Sequence, residues 1–109
     1  MELHIYIHVN TLVLLVYMTS KERIVLYKTE FVEIVLIRWP KGYVSPMHGH
    51  PGQDCVIHHV SGLLHEYRDS GQLIVISKGL TVSRIDDSIG KHRIEAPEPA
   101  CSVHVYSKL

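Results

Sequence analysis

The sequence predicts a small all-β domain, a barrel or sandwich of short strands. Three observations carry this. Runs rich in Val, Ile, Leu and Tyr recur along the chain. Turn residues interrupt them roughly every eight to twelve residues, the spacing of antiparallel β architectures. No long apolar period of the helical kind appears after residue 20.

The elements follow in order. Leu3, Ile5, Ile7 and Val9 alternate with His4, Tyr6 and His8, which reads as a strand. Thr11 to Met18 is apolar enough for either a strand or a buried helical segment, and periodicity does not choose between them. Thr19 to Glu22 is a polar break, Arg23 to Lys28 a strand, and Thr29-Glu30 a hairpin turn. Phe31 to Trp39 is the next strand, and its near-continuous apolar character predicts burial on both faces. Pro40-Lys41-Gly42 ends it. Further strands are expected over 53–60, 63–68, 72–77, 80–85, 91–95 and 101–107, separated by turn signals such as Ser61-Gly62 and Asp69-Ser70-Gly71.

Length and composition narrow the function classes. A chain of 109 residues is one domain with one core. The formal net charge is +0, which argues against a nucleic-acid partner, since that would need a basic stripe. The uninterrupted apolar run 12–18 is too short to span a bilayer, so no membrane partner is expected. Two cysteines, Cys55 and Cys101, make no disulfide framework, and residues 1–18 have neither a basic leader nor a small-residue cleavage site. Both features predict a reducing cytoplasmic location.

Residues 42 to 62 carry the chemistry. His48 and His50 lie at i and i+2, so on an extended strand both rings point to one face. Two imidazoles on one face can hold a metal ion from one side and leave its far side open. Gly42 and Gly62 bracket the pair, where strands must turn.

Here a resemblance enters. Gly42, His48, His50 and Gly62 match the first motif of the cupins, Gly-x5-His-x-His-x4-Glu-x6-Gly, with Cys55 in place of glutamate. A cysteine there, within Arg38-Trp39-Pro40 to Ser45-Pro46-Met47-His48-Gly49-His50, resembles the cysteine dioxygenases. The stretch Asp86-Asp87-Ser88-Ile89-Gly90-Lys91-His92-Arg93-Ile94-Glu95 resembles the second cupin motif and that family's Asn-Asp-Ser-x-Gly-x-His-Arg-x-Glu-Asn. Gly49, Asp86, Lys91 and Ala96 depart from the family pattern. The resemblance covers residues 21–107 and implies a cupin, a jelly-roll barrel or double-stranded β-helix. It implies His92 as third metal ligand beside His48 and His50. Typical members of the family are considerably longer than this chain.

The resemblance implies further roles. Ser102, His104 and Tyr106 form the polar face of a strictly alternating strand. In the family this row faces the metal: Ser102 bonds His104, His104 orients Tyr106, and the Tyr106 hydroxyl reaches the substrate. Cys55 and Tyr106 match the residues that form a thioether crosslink in eukaryotic-type members. Arg23, opening Arg23-Ile24-Val25-Leu26, matches an arginine that grips a carboxylate through two parallel hydrogen bonds. Two positions earlier the family usually has tyrosine; here that is Lys21.

The implied activity is oxidation of L-cysteine by O2 to cysteine sulfinic acid with non-haem Fe(II), in a monomer or homodimer. Zinc, nickel or manganese could fill the site in a purified sample. Two alternatives stand beside it. One is a cupin dioxygenase for another small thiol, such as 3-mercaptopropionate or cysteamine. The other is a non-catalytic cupin that binds a metal or small molecule.

Overall fold

A computed structural model describes residues 20–109. The strand expected over 3–9 and the undecided run 11–18 lie outside the described residues. Eight strands follow one another: β1 (Glu22–Lys28), β2 (Val32–Trp39), β3 (Gln53–Ser61), β4 (Leu64–Arg68), β5 (Leu73–Ile76), β6 (Val82–Asp86), β7 (His92–Glu95) and β8 (Ala100–Lys108). Each coincides with an expected strand to within two residues at either end. They form two antiparallel sheets, a five-stranded one in the order β1-β2-β8-β3-β6 and a three-stranded one in the order β5-β4-β7.

The fold is a jelly roll whose two sheets face each other across one core. Alternation sets which side chains enter it. On the large sheet Val35, Ile37 and Trp39 of β2, Cys55 and Ile57 of β3, and Ile85 of β6 point inward and are buried. On the small sheet Leu64, Ile76 and Ile94 meet them. A fully buried aliphatic side chain contributes about 1.5–3 kcal/mol, and these residues supply most of the apolar interior.

One expectation is corrected. Strand β2 is buried on one face only: Val35 and Ile37 are inside, while Leu36 is half-buried and Arg38 exposed. Phe31, just before the strand, is 62% exposed. Among the described residues no second layer covers the outer face of the large sheet, so apolar residues there remain partly wet. Apolar content alone does not report a covering layer.

Register builds the inner wall. Across β2 and β8, Glu33 pairs with Tyr106, Val35 with His104, Ile37 with Ser102 and Trp39 with Ala100. Across β8 and β3, Tyr106 pairs with Cys55 and His104 with Ile57. Arg23 of β1 pairs with Ile37, which puts it on the same inward side. Gly62 makes the β3–β4 turn at φ +78°, where a Cβ would lie 2.1 Å from the carbonyl oxygen of Pro99. Both the backbone angle and the space require glycine there.

Candidate metal centre

His48 and His92 come together through the backbone. They form an antiparallel bridge in which each amide donates to the other's carbonyl, at 2.8 and 2.9 Å. The neighbouring loops are tied as well. The amide of Gly52 donates to Asp87 Oδ2 at 3.0 Å, which holds the loop after His50 against the loop before His92. Asp86 shapes that second loop: its Oδ1 accepts from the amides of Ser88 and Ile89 and from the Ser88 hydroxyl.

The three rings converge. Nε2 of His92 lies 3.0 Å from Nε2 of His50 and 3.2 Å from Nε2 of His48. The outward nitrogens of two rings are already engaged. Nδ1 of His48 lies 2.8 Å from the carbonyl oxygen of Pro46, and Nδ1 of His92 lies 2.7 Å from Glu66 Oε2. Both partners only accept, so both rings carry the proton on Nδ1 and turn a bare lone pair inward. Two lone pairs 3.2 Å apart share no proton; a cation between them resolves the repulsion. Imidazole nitrogens about 2.1 Å from one ion at right or tetrahedral angles are about 3.0–3.4 Å apart. The donor set therefore fits a divalent metal.

Electrostatics agree. Burial pushes the His50 ring down to about 4, helped by the charges of His92 and His48. Burial also lowers His48, against the hydrogen bond to Pro46. Neutral rings are what a metal requires.

Glu66 is fully buried, which made it invisible as a partner in the sequence. Burial pushes its carboxyl up, but hydrogen bonds from His92 and Ser83 and the Arg68 charge outweigh this and leave it below its ordinary value. A carboxylate on the far nitrogen of a ligating histidine fixes the ring and raises its basicity. The available signal was alternation: Leu64 and Ile94 are inward, so Glu66 two positions on must be inward too.

Beside the imidazoles runs the β8 row. The indole Nε1–H of Trp39 donates to Ser102 Oγ at 2.8 Å. Ser102 Oγ lies 2.8 Å from His104 Nε2, and His104 Nδ1 lies 3.4 Å from the Tyr106 hydroxyl. Indole can only donate, so Ser102 Oγ accepts there and keeps its own hydrogen for another partner. When that hydrogen goes to Nε2, His104 carries its proton on Nδ1 and Tyr106 is left to donate outward. Burial, with the nearby Lys21 charge, pushes His104 down to about 3. The Tyr106 ring centroid lies 5.8 Å from that of His50. Burial, then the Cys55 thiol, pushes the Tyr106 phenol up to about 12. Cys55 is buried directly across the strand from it, its thiol also pushed up to about 12, mainly by burial. Cys55 and Cys101 are both free.

Arg23 stands at the edge of this wall. Its guanidinium carbon lies 6.0 Å from the Tyr106 ring centroid, and its Nη2 donates to Glu33 Oε1 at 3.1 Å. A cleft of about 620 Å³, lined by Glu22, Arg38, Trp39, Lys41, Val60 and Cys101 among others, includes none of the three imidazoles. Among the described residues no helix is long and apolar enough to cross a membrane.

No protein-family model matches the chain. Cysteine dioxygenase type 1 from Homo sapiens, from Bos taurus and from Mus musculus are each 32% identical to it over 87 residues, 68% of this chain and 44% of theirs. The chain thus matches less than half the length of these curated relatives. Solved structures align over more of it. An RmlC-like cupin from Shewanella frigidimarina is 20% identical, with a TM-score of 0.72 over 84% of this chain and 78% of that one. A cupin superfamily protein from Desulfitobacterium hafniense is 16% identical, with a TM-score of 0.73 over 83% and 79%. A conserved protein of unknown function from Streptococcus pyogenes is 20% identical, with a TM-score of 0.72 over 84% and 76%. The chain has the cupin fold.

Proposed function

We propose that this cupin is a non-haem iron thiol dioxygenase that oxidises L-cysteine with O2 to cysteine sulfinic acid. One observation carries the reading: three inward Nε2 atoms converge beside a Tyr106 whose hydroxyl is held by the Ser102–His104 relay. The similarity to cysteine dioxygenase type 1 supports it. The overall change is RSH plus O2 to RSO2H. Both oxygen atoms go to sulfur, and sulfur itself supplies the electrons that O2 accepts, so no external reductant is needed. That rung of the thiol oxidation ladder is not readily reversed.

His48, His50 and His92 would hold the ion, with Glu66 fixing the His92 ring. Fe(II) there would supply the Lewis acidity that ionises the substrate thiol and the redox chemistry that activates O2. Three neutral imidazoles cancel none of the ion's charge, so the site favours an anionic thiolate over a neutral ligand.

The chain's own groups do the rest. Arg23 is the anchor for the substrate carboxylate, offering two parallel N–H donors. Tyr106 keeps its proton at neutral pH and donates toward the site, because its own oxygen accepts from His104. Ser102 and His104 are positioning residues for that hydroxyl. Cys55 and Tyr106 are cross-strand partners, the pairing that brings two side chains of a sheet closest, which supports a thioether between them. In that coupling the S–C bond forms as the thiol and the ring each lose a hydrogen, with O2 as acceptor. The crosslink would hold the phenol in one orientation.

The test is oxygen uptake by iron-loaded protein with cysteine, with the sulfinate identified by mass. Stoichiometric uptake and sulfinate formation are expected. Metal-loaded protein that consumes no oxygen with cysteine, 3-mercaptopropionate or cysteamine would instead support a non-catalytic metal-binding cupin. That second reading is favoured by Gly49, Lys91 and Ala96, which depart from the family's motifs.

A further inference from the structure

Two cations stand on the inward side of the chain where it enters the large sheet, and they differ in one respect. Arg23 is bound to Glu33, whose other oxygen lies 3.9 Å from Lys28. Lys21 has no carboxylate within ion-pair distance among the described residues. Its ammonium lies instead over two aromatic rings, 5.3 Å from the centroid of Trp39 and 5.7 Å from that of Tyr43.

This placement points into the site. Trp39 is buried, its ring is 5.9 Å from His104, and its indole bonds Ser102. Arg23, two positions on, stands beside the same row, its guanidinium carbon 6.0 Å from the Tyr106 ring centroid. Burial and then the Arg23 charge lower the affinity of Lys21 itself for its proton. The rings satisfy the ammonium only through their faces, leaving its N–H donors for an anion.

We propose that Lys21 is the specificity-determining cation of this site. It holds the carboxylate of a thiol carboxylic acid and excludes thiols whose only other group is an ammonium. The inference rests on the thiol dioxygenase reading and selects among its substrates. Arg23 must exchange Glu33 for a ligand carboxylate, whereas Lys21 gives up no carboxylate among the described residues. A carboxylate entering between them gains from both charges; the ammonium of an aminothiol such as cysteamine meets two like charges. An ammonium is a point charge without the planar fork of arginine, so the contact sets charge preference rather than a fixed ligand angle. Thiol carboxylates without an amino group, such as 3-mercaptopropionate, should be accepted as readily as cysteine.

Trp39 is the one tryptophan of the chain, so its emission reports the ammonium above it. The experiment uses zinc-loaded protein, because zinc does not change oxidation state and so separates thiol binding from turnover. Wild type, Lys21→Met, Lys21→Gln and Lys21→Arg are titrated with 3-mercaptopropionate and with cysteamine, with Lys78→Met as control. Two neutral variants guard against one that fails to fold. Wild type should bind 3-mercaptopropionate at least tenfold more tightly than cysteamine. Lys21→Met and Lys21→Gln should weaken 3-mercaptopropionate tenfold or more and leave cysteamine unchanged or tighter. Lys21→Arg and Lys78→Met should stay within threefold of wild type. Either neutral variant binding 3-mercaptopropionate within twofold of wild type overturns the proposal, as does wild type that does not prefer the carboxylate. Binding is read apart from turnover. Protein that shows this preference but consumes no oxygen sinks the dioxygenase reading alone.

Discussion

Glu66 Oε2 lies 2.7 Å from Nδ1 of His92, and its other oxygen accepts from the hydroxyl of Ser83 on the opposite sheet. One carboxylate therefore spans the two sheets and fixes the tautomer of a proposed ligand. Removing it leaves His92 free to rotate and strands a buried hydroxyl. Glu66→Ala should lower metal affinity about 10–100-fold, the usual effect of deleting such a partner. Glu66→Gln keeps an acceptor but loses the charge, and should fall between. Competition with a metal-sensitive chelator checks both; equal affinity in all three proteins would remove Glu66 from the site.

His92→Ala is the more severe change. It removes one of three donors and leaves Glu66 buried beside a void, so metal binding and oxygen uptake should be lost together. His58→Ala, on an exposed strand position, should retain both. Metal content by elemental analysis beside oxygen uptake is the measurement. Full uptake by the His92 variant would mean that the proposed ligand set is wrong.

The strand map and the site were legible to different depths. Strands β1 to β8 could be read because each is a short apolar or alternating run, most of them closed by Gly, Asp, Ser or Pro, signals that are local in sequence. The inward turn of Ser102 and His104 ran against simple polarity, and only the resemblance suggested it; both are buried, at 0% and 4% exposure. Pairings across sheets were not legible. Glu66 meets Ser83 and His92 only because the two sheets face each other, and no local pattern encodes that distance. Trp39 was read as part of a motif, yet its bond to Ser102 follows from a register set by turn lengths. The both-face burial expected for β2 failed because apolar side chains persist on a face that no described layer covers.

The pairing of Cys55 with Tyr106 makes a covalent prediction. Protein loaded with iron and turned over with cysteine in air should contain a thioether between the two, visible as the loss of two hydrogens in the intact mass and as one joined peptide after digestion. Cys55→Ala should prevent the joined peptide; Cys101→Ala, on the other side of the sheet's alternation, should not. Two separate unmodified peptides from the turned-over wild type would rule the crosslink out.

The Trp39 indole anchors the Ser102 end of the Ser102–His104–Tyr106 row, so its loss should be felt at the phenol. Trp39→Phe preserves most of the ring volume but deletes the donor to Ser102, at a stability cost of about 0.5–1.5 kcal/mol for the bond. Ser102 then needs no fixed polarity, and His104 can flip its tautomer. The expected outcome is a severalfold lower kcat with KM for cysteine within a factor of about two, since the imidazoles and Arg23 are untouched and phenylalanine keeps a ring face beneath Lys21. A rise in KM with kcat unchanged would place Trp39 in substrate binding instead.

His104 gives the metal-free protein an acid-sensitive core. Its ring is buried and neutral, pushed down to about 3 against an ordinary value of 6.5. Between those two pH values the unfolded chain binds a proton that the folded chain refuses. Stability is therefore fully present above pH 6.5 and falls as the pH drops toward the folded value, by up to about 1.4 kcal/mol per pH unit for this one group. His104→Gln cannot take up the proton, so although it starts from a lower stability its profile should be flatter by that amount per unit. Urea midpoints measured for both proteins from pH 4 to pH 7, with chelator present, give the comparison. Parallel profiles would mean that His104 takes up its proton as readily in the folded chain as in the unfolded one, and a neutral, buried ring in the β8 row could not stand.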